Sequence, residues 1–246
     1  MRQRYRGVTL SVEDRHWWYR GRRRVVGRVL AGLGLPPGAR ILDAGCGGGG
    51  NLAALARFGE VTGLEPDAGA RTAARARGLG AVVEGGLEAL PFEDGSFSVA
   101  TALDVIEHLD DDRGALGELR RVVVEDGFLV VTVPAYQWLW SPHDVANEHR
   151  RRYARRQLVT VAESAGWRPM QTSYFNSLLL PIVAVRRLWQ RRRLGEQAPR
   201  VSDFERTPAW VDGLLELPFR VEAAMISAGV QLPAGLSLLG VFRARG

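Results

Sequence analysis

Two periods of hydrophobic positions alternate along the middle of the chain. Short and almost wholly apolar runs predict buried strands, and the runs between them repeat apolar residues at helical spacing. The strand-like runs are ARILDAG, EVTGLE, AVVEG, FSVATAL and GFLVVTV, and the helix-like runs are NLAALARF, AGARTAARARG and DRGALGELRRVVV. Strand and helix in turn predict a parallel sheet covered by helices on both faces, which is a doubly wound, Rossmann-like α/β fold.

The two ends of the chain depart from this alternation. Residues 1–38 predict an N-terminal helical cap rich in aromatic and basic side chains. Residues 39–175 and 236–246 predict the Rossmann-like domain, with its last two strands at WRPMQTSYF and LSLLGVFRAR. Residues 176–235 predict a helical insertion that caps the substrate side, with a kink expected at Pro218. We therefore expect a seven-stranded, mostly parallel sheet with a helical insertion before the last strand.

A long irregular stretch separates the fifth predicted strand from the helix ARRQLVTVAESAG. Its sequence, PAYQWLWSPHDVANEHRRRY, covers residues 134–153 and is rich in aromatic residues, histidine and arginine. These residues break the alternation of strands and helices, so we expect a loop with one short helix. Loops held by a rigid scaffold often carry functional residues.

The motif with the most chemical information is ILDAGCGGGGNLAAL. A strand ends at Asp43, a glycine-rich turn follows, and a helix begins near Asn51. Such a turn lets the backbone approach a ligand closely, in the crevice at the carboxyl ends of the strands. Glu65 ends the next strand and is placed to accept hydrogen bonds from ribose hydroxyls, which would serve NAD and S-adenosylmethionine equally. Asp43 favours the second cofactor, because an anion repels pyrophosphate and suits a cationic methionine end.

The motifs LDAGCGGG, ALPFEDGSFSVA and ALDVIEHLDD, with the acidic end of the second strand, together resemble class I S-adenosylmethionine-dependent methyltransferases. Within this family, the quinone-biosynthesis methyltransferases have the most similar motifs. The resemblance covers roughly residues 16–175 and the last strand. It implies S-adenosyl-L-methionine as cofactor and S-adenosyl-L-homocysteine as product. The cofactor contacts that it implies come from Arg22, Arg23, Asp43, Gly45, Cys46, Gly47, Glu65, Pro66, Gly86, Leu87, Glu88, Leu103, Asp104 and His108.

One position departs from the family pattern. The family carries an aspartate before its Leu-Pro-Phe segment that accepts from the adenine amino group, and this chain has Gly86 there. Either Glu88 or a backbone carbonyl is expected to substitute.

Composition narrows the choice of chemistry. The single cysteine, Cys46, excludes an intrachain disulfide and a cysteine-rich zinc centre, and we expect no metal site. No lysine is present, so all 33 basic residues are arginine and Schiff-base catalysis is excluded. No secretory signal and no apolar run of ~18 residues is found, so a cytoplasmic protein is expected.

Four histidines fall in segments expected to surround the site. We predict that His143 or His149 is the general base for a hydroxyl acceptor, with Asp144 orienting it. The alternative is that these histidines only position loops, which is the favoured role for His108. O-methylation is favoured over transfer to nitrogen or carbon. The residues predicted to contact substrate are Trp18, Tyr136, Trp140, Arg152 and Tyr153. Core packing is the alternative for the two tryptophans, and a solvated helix start is the alternative for Arg152 and Tyr153.

The expected partner is a small-molecule acceptor, apolar, lipid-linked or a secondary metabolite. The net charge of +6 permits contact with nucleic acid. The chain lacks the Asn/Asp-Pro-Pro-Tyr segment that adenine methyltransferases usually carry after the fourth strand, so a nucleic-acid substrate is not expected. The run LLLPIVAVRRLWQRRR is compatible with a membrane surface and with the lining of an apolar cleft, and the cleft is favoured. A non-catalytic cofactor-binding scaffold and another nucleoside-cofactor enzyme are the alternatives. The sequence indicates no oligomeric state.

Overall fold

Seven strands form one sheet in the computed structural model of the protein, which describes residues 13–185, Arg187 and residues 209–245. The strand order is β3-β2-β1-β4-β5-β7-β6, in which β1 to β5 are parallel and β7 runs antiparallel to both of its neighbours. The predicted seven-stranded, mostly parallel fold is thus confirmed. The strands are β1 (Arg40–Ala44), β2 (Glu60–Leu64), β3 (Ala81–Val83), β4 (Phe97–Leu103), β5 (Val123–Pro134), β6 (Trp167–Phe175) and β7 (Ser237–Ala244).

Seven α-helices accompany the sheet in the described part of the chain, and a further helical segment follows β6 at residues 180–185. Two of them begin where an aspartate side chain accepts from a backbone amide, Asp67 from Ala70 and Asp111 from Gly114. The helices are α1 (Trp17–Ala31), α2 (Leu52–Leu55), α3 (Ala68–Ala76), α4 (Asp112–Val122), α5 (Pro142–Ala146), α6 (Arg155–Ser164) and α7 (Ala209–Ser227), with short 3₁₀ turns at Ile106–His108 and Gln137–Leu139.

The sequence pattern placed the start of β5 too late. The run DRGALGELRRVVV was expected to be helical throughout, but the helix ends at Val122 and the strand begins at Val123, which pairs with Phe97 of β4. The β-branched side chains of this valine run favour extended backbone, which explains the early change.

Two hydrophobic cores lie on the two faces of the sheet. One is built with α1, α2, α3 and α7 and includes Leu52 and Phe219, both fully buried. The other is built with α4 and α6 around Trp167, whose indole nitrogen donates to the Leu116 carbonyl at 2.9 Å. Because both faces are covered, the strands carry apolar residues on both sides, as the sequence pattern indicated.

The parallel strands bring their carboxyl ends to one edge of the sheet. β1 pairs with β2 on one side and with β4 on the other, so the strand order reverses at β1. Ligands of doubly wound sheets bind at such a switch point. Glu65 and Asp104 directly follow β2 and β4 at this edge.

Helix α7 lies against α1 and the sheet. It continues through Pro218 from Ala209 to Ser227, and its Phe219 ring packs 5.9 Å from the ring of Trp17, measured between centroids. Its outer face exposes Trp210, Leu214 and Val221 to between 58% and 74%. Among the helices that the structure describes, none is long and apolar enough to cross a membrane.

The contact between α1 and α7 can be tested at two glycines of α1. A methyl group on Gly21 would overlap the Phe219 ring, so we expect Gly21→Ala to destabilise the protein by about 1–3 kcal/mol. The matched control is Gly27→Ala, whose added methyl would lie 4.0 Å from its nearest neighbour, on Phe58. This control is expected to stabilise the helix by about 0.5–1 kcal/mol. Urea denaturation of both variants measures the difference, and equal stabilities would contradict the packing of α7 on α1.

Candidate functional site

Two adjoining hollows lie at the carboxyl ends of the strands. The deep cavity, of about 410 Å³, extends from the glycine-rich turn to the loop after β5 and to residues 176–187. The strand-end cleft, of about 510 Å³, extends from the same turn to the ends of β2 and β3. Gly45, Gly47, Asp104 and His108 line both hollows, so a molecule in the cleft would meet a molecule in the cavity at this point.

The glycine-rich turn is fixed to the end of β2. The amides of Gly45 and Cys46 both donate to the Leu64 carbonyl, at 2.8 and 2.9 Å. Glu65 accepts from the Gly47 amide at 3.0 Å and from the Asp67 amide at 2.9 Å. Gly45 has a φ of 77°, and a side chain there would run into Val105. Only glycine therefore fits at this position, where the backbone borders both hollows.

Asp43 lies beneath this turn and is 1% exposed. One carboxylate oxygen accepts from the Thr101 hydroxyl at 2.7 Å, while the other has no hydrogen-bond partner among the described residues. Burial raises the pKa of Asp43 to about 6, against the lowering effects of Thr101 and of the Arg22 charge. Asp43 lines neither hollow, so its contact with a cofactor stays a prediction that rests on its place beneath the turn.

The far wall of the strand-end cleft contains the position where the family pattern is broken. The cleft is lined here by Glu65, Pro66, Gly86, Leu87 and Glu88. A side chain at position 86 would collide with the carboxylate of Glu88, which therefore occupies the space that an aspartate at that position would need. Of the two substitutes that the sequence left open, this arrangement favours Glu88.

An ion pair joins α1 to the end of β4. Arg22, which is 5% exposed, donates to the Asp104 carboxylate and, at 3.0 Å, to the Leu103 carbonyl, and its guanidinium lies 4.8 Å from the centre of the Trp18 ring. Arg23 donates to the backbone carbonyl of Glu13 at 2.8 Å. Both arginines line the deep cavity, so a contact with the methionine carboxylate stays a prediction for either.

All four histidines of the chain, His16, His108, His143 and His149, line the deep cavity. The His149 ring lies 4.7 Å from the ring of His108 and 6.3 Å from that of His143, measured between centroids. Burial, with a smaller effect of the His149 charge, lowers the pKa of His108 to about 4, so its imidazole is neutral at physiological pH. Neutral imidazoles can accept a proton or donate a lone pair.

The loop after β5 is organised around Asp144, whose side chain is fully buried. Its carboxylate accepts from His149 Nδ1 at 2.9 Å and from Arg152 Nε at 2.7 Å. Although burial alone would raise it, these hydrogen bonds hold the pKa of Asp144 below its usual range. In the neutral tautomer that donates Nδ1–H to Asp144, the lone pair of His149 lies on Nε2. The structure thus places Asp144 where it orients His149, while the catalytic role of either histidine stays a prediction.

The residues predicted to contact substrate divide into two groups. Trp18 and Arg152 line the deep cavity, although the Arg152 guanidinium is already bound to Asp144. Tyr136, Trp140 and Tyr153 lie outside the lining of both hollows. The predicted substrate contacts of these three are therefore not supported by their placement.

Both tyrosines of that second group have other partners. The Tyr136 ring stacks on Tyr174, with 4.8 Å between centroids, and the Tyr153 hydroxyl donates to Asp112 at 2.6 Å. Tyr153 is buried in the core beside α4 and α6. The burial of Tyr153 thus differs from the solvated helix start that was the alternative for this residue.

Glu107 is a functional candidate that the sequence reasoning missed. It lines the deep cavity, is 0% exposed, and neither of its carboxylate oxygens has a hydrogen-bond partner among the described residues. Burial, assisted by the charge of Asp104, raises the pKa of Glu107 well above its usual value. The available signal was its place in the IEHL run, next to a histidine at the end of a strand.

The start of the predicted insertion forms another wall of the deep cavity. Leu179, Val183 and Arg187 line it, whereas Ile182 and Val185 point outward and are 66% and 67% exposed. The described part of this segment thus contributes to the cavity wall, and its role towards substrate stays a prediction. Residues 188–208, including most of the basic end, lie outside the described part of the chain.

Comparison with known proteins finds similarity to methyltransferases. Residues 42–131 match the family model described as a methyltransferase domain. The chain is 34% identical over 118 residues to sterol 24-C-methyltransferase ERG6B of Gibberella zeae, covering 44% of this chain and 30% of that protein. It is 34% identical over 112 residues to ubiquinone biosynthesis O-methyltransferase of Alkalilimnicola ehrlichii, covering 43% of this chain and 44% of that protein. The chain thus spans less than half the length of these curated relatives.

The likeness in three dimensions extends further than that in sequence. The structure aligns with a chain from the complex between the Haloferax volcanii Trm112 methyltransferase activator and its methyltransferase, with a TM-score of 0.65. That alignment covers 99% of this chain and 96% of the other at 18% identity. At this identity the likeness concerns the fold.

The buried state of Asp43 has a consequence for stability. Because the pKa in the folded protein, about 6, exceeds the ordinary 3.8, the cost of ionising Asp43 is absent below pH 3.8 and complete above pH 6. We expect Asp43→Asn to stabilise the cofactor-free protein by about 1–3 kcal/mol at roughly pH 8. The gain should shrink as the pH falls from 6 to 3.8, which denaturant unfolding at several pH values would show. A variant equally destabilised at every pH would contradict the raised pKa.

Proposed function

We propose that this chain transfers a methyl group from S-adenosylmethionine to a hydroxyl oxygen of an apolar small molecule. The match to a methyltransferase domain confirms the predicted resemblance to class I S-adenosylmethionine-dependent methyltransferases. The observation that carries the proposal is the junction of the two hollows at the glycine-rich turn. A cofactor in the strand-end cleft would direct its methyl group at this junction into the deep cavity. Methyl transfer depends chiefly on such in-line positioning of two reactants.

The cofactor side of the proposal rests on the carboxylates around the turn. Glu65 is held at the turn and faces the cleft, where it can accept from ribose hydroxyls. Asp43 lies buried under the same turn, which favours a cofactor with a cationic end. Glu88 stands beside Gly86 for the adenine edge. These positions supply one acceptor for each part of S-adenosylmethionine.

The acceptor side rests on the composition of the deep cavity. Trp17, Trp18, Leu139, Leu179 and Val183 supply apolar wall, which suits an acceptor with an apolar body. By their names, the two relatives are a sterol 24-C-methyltransferase and a ubiquinone biosynthesis O-methyltransferase, which supports an apolar acceptor for this chain. A cavity of about 410 Å³ suits a small-molecule acceptor better than a nucleic acid.

The polar wall of the cavity supports transfer to oxygen. A hydroxyl must lose its proton as the oxygen attacks the methyl carbon, so a proton-accepting or oxygen-activating group has to lie nearby. Glu107, His108 and His149 form such a wall close to the junction. We assign them the task of receiving and activating the acceptor hydroxyl.

Calorimetry on the purified chain tests the cofactor. We expect S-adenosylmethionine and S-adenosylhomocysteine to bind and NAD not to bind, because a carboxylate buried beneath the glycine-rich turn would repel a pyrophosphate bound above it. Glu65→Ala is expected to weaken binding by more than about tenfold, through loss of charged hydrogen bonds. Glu84→Ala is the matched control, since Glu84 lies outside the cleft lining and pairs with Arg71. Binding of NAD instead would show another nucleoside-cofactor enzyme.

The acceptor requires a separate assay. S-adenosylhomocysteine release is measured with a panel of apolar hydroxylated molecules and, in parallel, with RNA. Turnover with a member of the panel supports the proposal. Cofactor binding without turnover of any acceptor would favour a non-catalytic scaffold, and tight, salt-sensitive RNA binding would favour a nucleic-acid substrate.

The substitution of Glu88 for the missing aspartate can be tested by restoring the family residue. We expect Glu88→Ala to weaken S-adenosylmethionine binding by up to about tenfold, the effect of one hydrogen bond. Adding Gly86→Asp to this variant should recover most of the affinity, because the space taken by Glu88 is then free. Calorimetric titration measures both. An unchanged affinity in Glu88→Ala would assign the adenine contact to the backbone.

A further inference from the structure

Helix α7 carries a stripe of exposed apolar side chains on the face turned away from α1 and the sheet. Five large side chains of this stripe are exposed to between 38% and 74%, and they are Trp210, Leu214, Leu217, Val221 and Met225. The described residues leave this face uncovered. Contiguous apolar patches of more than a few hundred Å² mark interaction sites in soluble proteins, so the α7 stripe is a candidate interface.

The spacing of the α7 stripe is that of a seam between two helices. Trp210, Leu214, Leu217, Val221 and Ala224 follow one another at alternating intervals of four and three residues, and all five are exposed. Two apolar positions in every seven keep the seam on one side of a helix, which is how paired helices pack side by side. Helix α7 has 19 residues, so it offers a partner a seam of about 28 Å.

The stripe is complementary to itself when two copies of α7 run antiparallel. With Leu217 of one copy facing Leu217 of the other, Leu214 faces Val221. The same register sets the bulky Trp210 opposite the small Ala224, because each lies seven residues from Leu217. Alternation of large and small side chains lets facing layers fill the space between two helices. This register also has a two-fold axis at Leu217, and two-fold dimers are the commonest homo-oligomers.

Charge favours a protein helix over a lipid surface as the occupant of this face. The exposed residues of α7 include one charged side chain, that of Arg220, and the acidic residues Asp212, Glu216 and Glu222 are buried. Helices that lie on anionic membranes carry several basic residues beside their apolar face, and α7 does not. In the antiparallel register Arg220 faces Gly213, which leaves room for the long arginine side chain.

The apolar surface approaches the size that a stable dimer needs. With about 200 Å² for a fully exposed large side chain, the five exposed fractions amount to roughly 500 Å² per copy. Each partner buries about 800 Å² in a standard interface. The segment after β6 adds the exposed side chains Leu178, Ile182 and Val185 at the same spacing. This segment adjoins α7, because the Glu222 carboxylate accepts from the Ser177 amide at 2.8 Å.

We propose that two copies of this chain associate through α7, with the two helices antiparallel and Leu217 at the two-fold axis. The α7 stripe lies outside the lining of both hollows, so the proposal is independent of the proposed function. Helix α7 nevertheless supports the deep cavity. Its Phe219 packs on Trp17, its Glu222 accepts from the Asn176 amide, and both of these partners line the cavity. The dimer would hold this wall in place in each copy.

The mass of the full chain in solution tests the association. Sedimentation analysis over a range of concentrations is expected to show a reversible dimer of the 27.1 kDa chain. Leu217→Arg places two like charges at the axis, so we expect it to raise the dimer dissociation constant by at least about a hundredfold. Met170→Arg makes a similar change at an exposed apolar residue of β6 and should leave the constant unchanged. Thermal unfolding shows that both variants are folded.

Disulfide cross-linking tests the register. The native Cys46 is buried, so an added exposed cysteine is the one that reacts. Under copper-phenanthroline oxidation, Leu217→Cys should link to its own copy, because the two side chains meet at the axis. Trp210→Cys alone should not link, since its two copies lie about 21 Å apart along the seam. A mixture of Trp210→Cys and Ala224→Cys chains should link with each other.

A chain that is monomeric at every concentration would overturn the proposal, and so would a dimer that Leu217→Arg does not weaken. The chain is also mixed with vesicles of phosphatidylcholine and phosphatidylglycerol. Binding of a monomeric chain to these vesicles would assign the α7 stripe to a lipid surface. A chain that stays monomeric and binds no vesicles would assign the stripe to contacts within the chain, where residues 188–208 are next to α7 in sequence.

Discussion

The shape of the site depends on one buried carboxylate, that of Asp144. It accepts from the Ser141 amide at 2.9 Å, from His149 Nδ1 at 2.9 Å and from two nitrogens of Arg152 at 2.7 and 3.0 Å. Arg152 in turn donates to the Ala135 carbonyl, which binds the loop back to the end of β5. Removing the carboxylate would leave the Arg152 charge buried without its partner, which is among the most costly changes a protein interior can undergo. The position of His149 beside the turn after β4 therefore follows from this single group.

The same edge of the sheet contains buried charged groups that are paired with each other and buried carboxylates whose oxygens lack hydrogen-bond partners among the described residues. Arg22 and Asp104 neutralise each other between α1 and β4, and their pairing closes the floor of the deep cavity. Asp43 and Glu107, by contrast, keep buried oxygens without partners among the described residues. Native proteins keep few such atoms, because each costs stability unless a ligand completes it. Glu107 lines the deep cavity, whereas Asp43 lies beneath the turn where the two hollows meet.

The sequence predicted the fold and the cofactor turn because both depend on local patterns. Apolar runs predict the strands. A side chain at position 45 would run into Val105, so this position requires a glycine, and that glycine can be recognised in the sequence. The loop after β5 was harder, because aromatic residues look alike whether they line a cavity or pack in a core, as Tyr153 does. Helix α7 shows the same ambiguity, since an amphipathic pattern does not say what its apolar face will cover. Glu107 was missed because its isolation from hydrogen-bond partners is a property of three dimensions.

The position of Cys46 gives the chain a built-in reporter. Its thiol is 3% exposed, lies against Gly63 of β2, and has a pKa that burial raises above the usual value. Thiolates and not thiols react with alkylating reagents, so the closed turn protects this sulfur. The sequence contains no other cysteine. The rate at which an alkylating reagent modifies the chain therefore reports how often the structure around the glycine-rich turn opens.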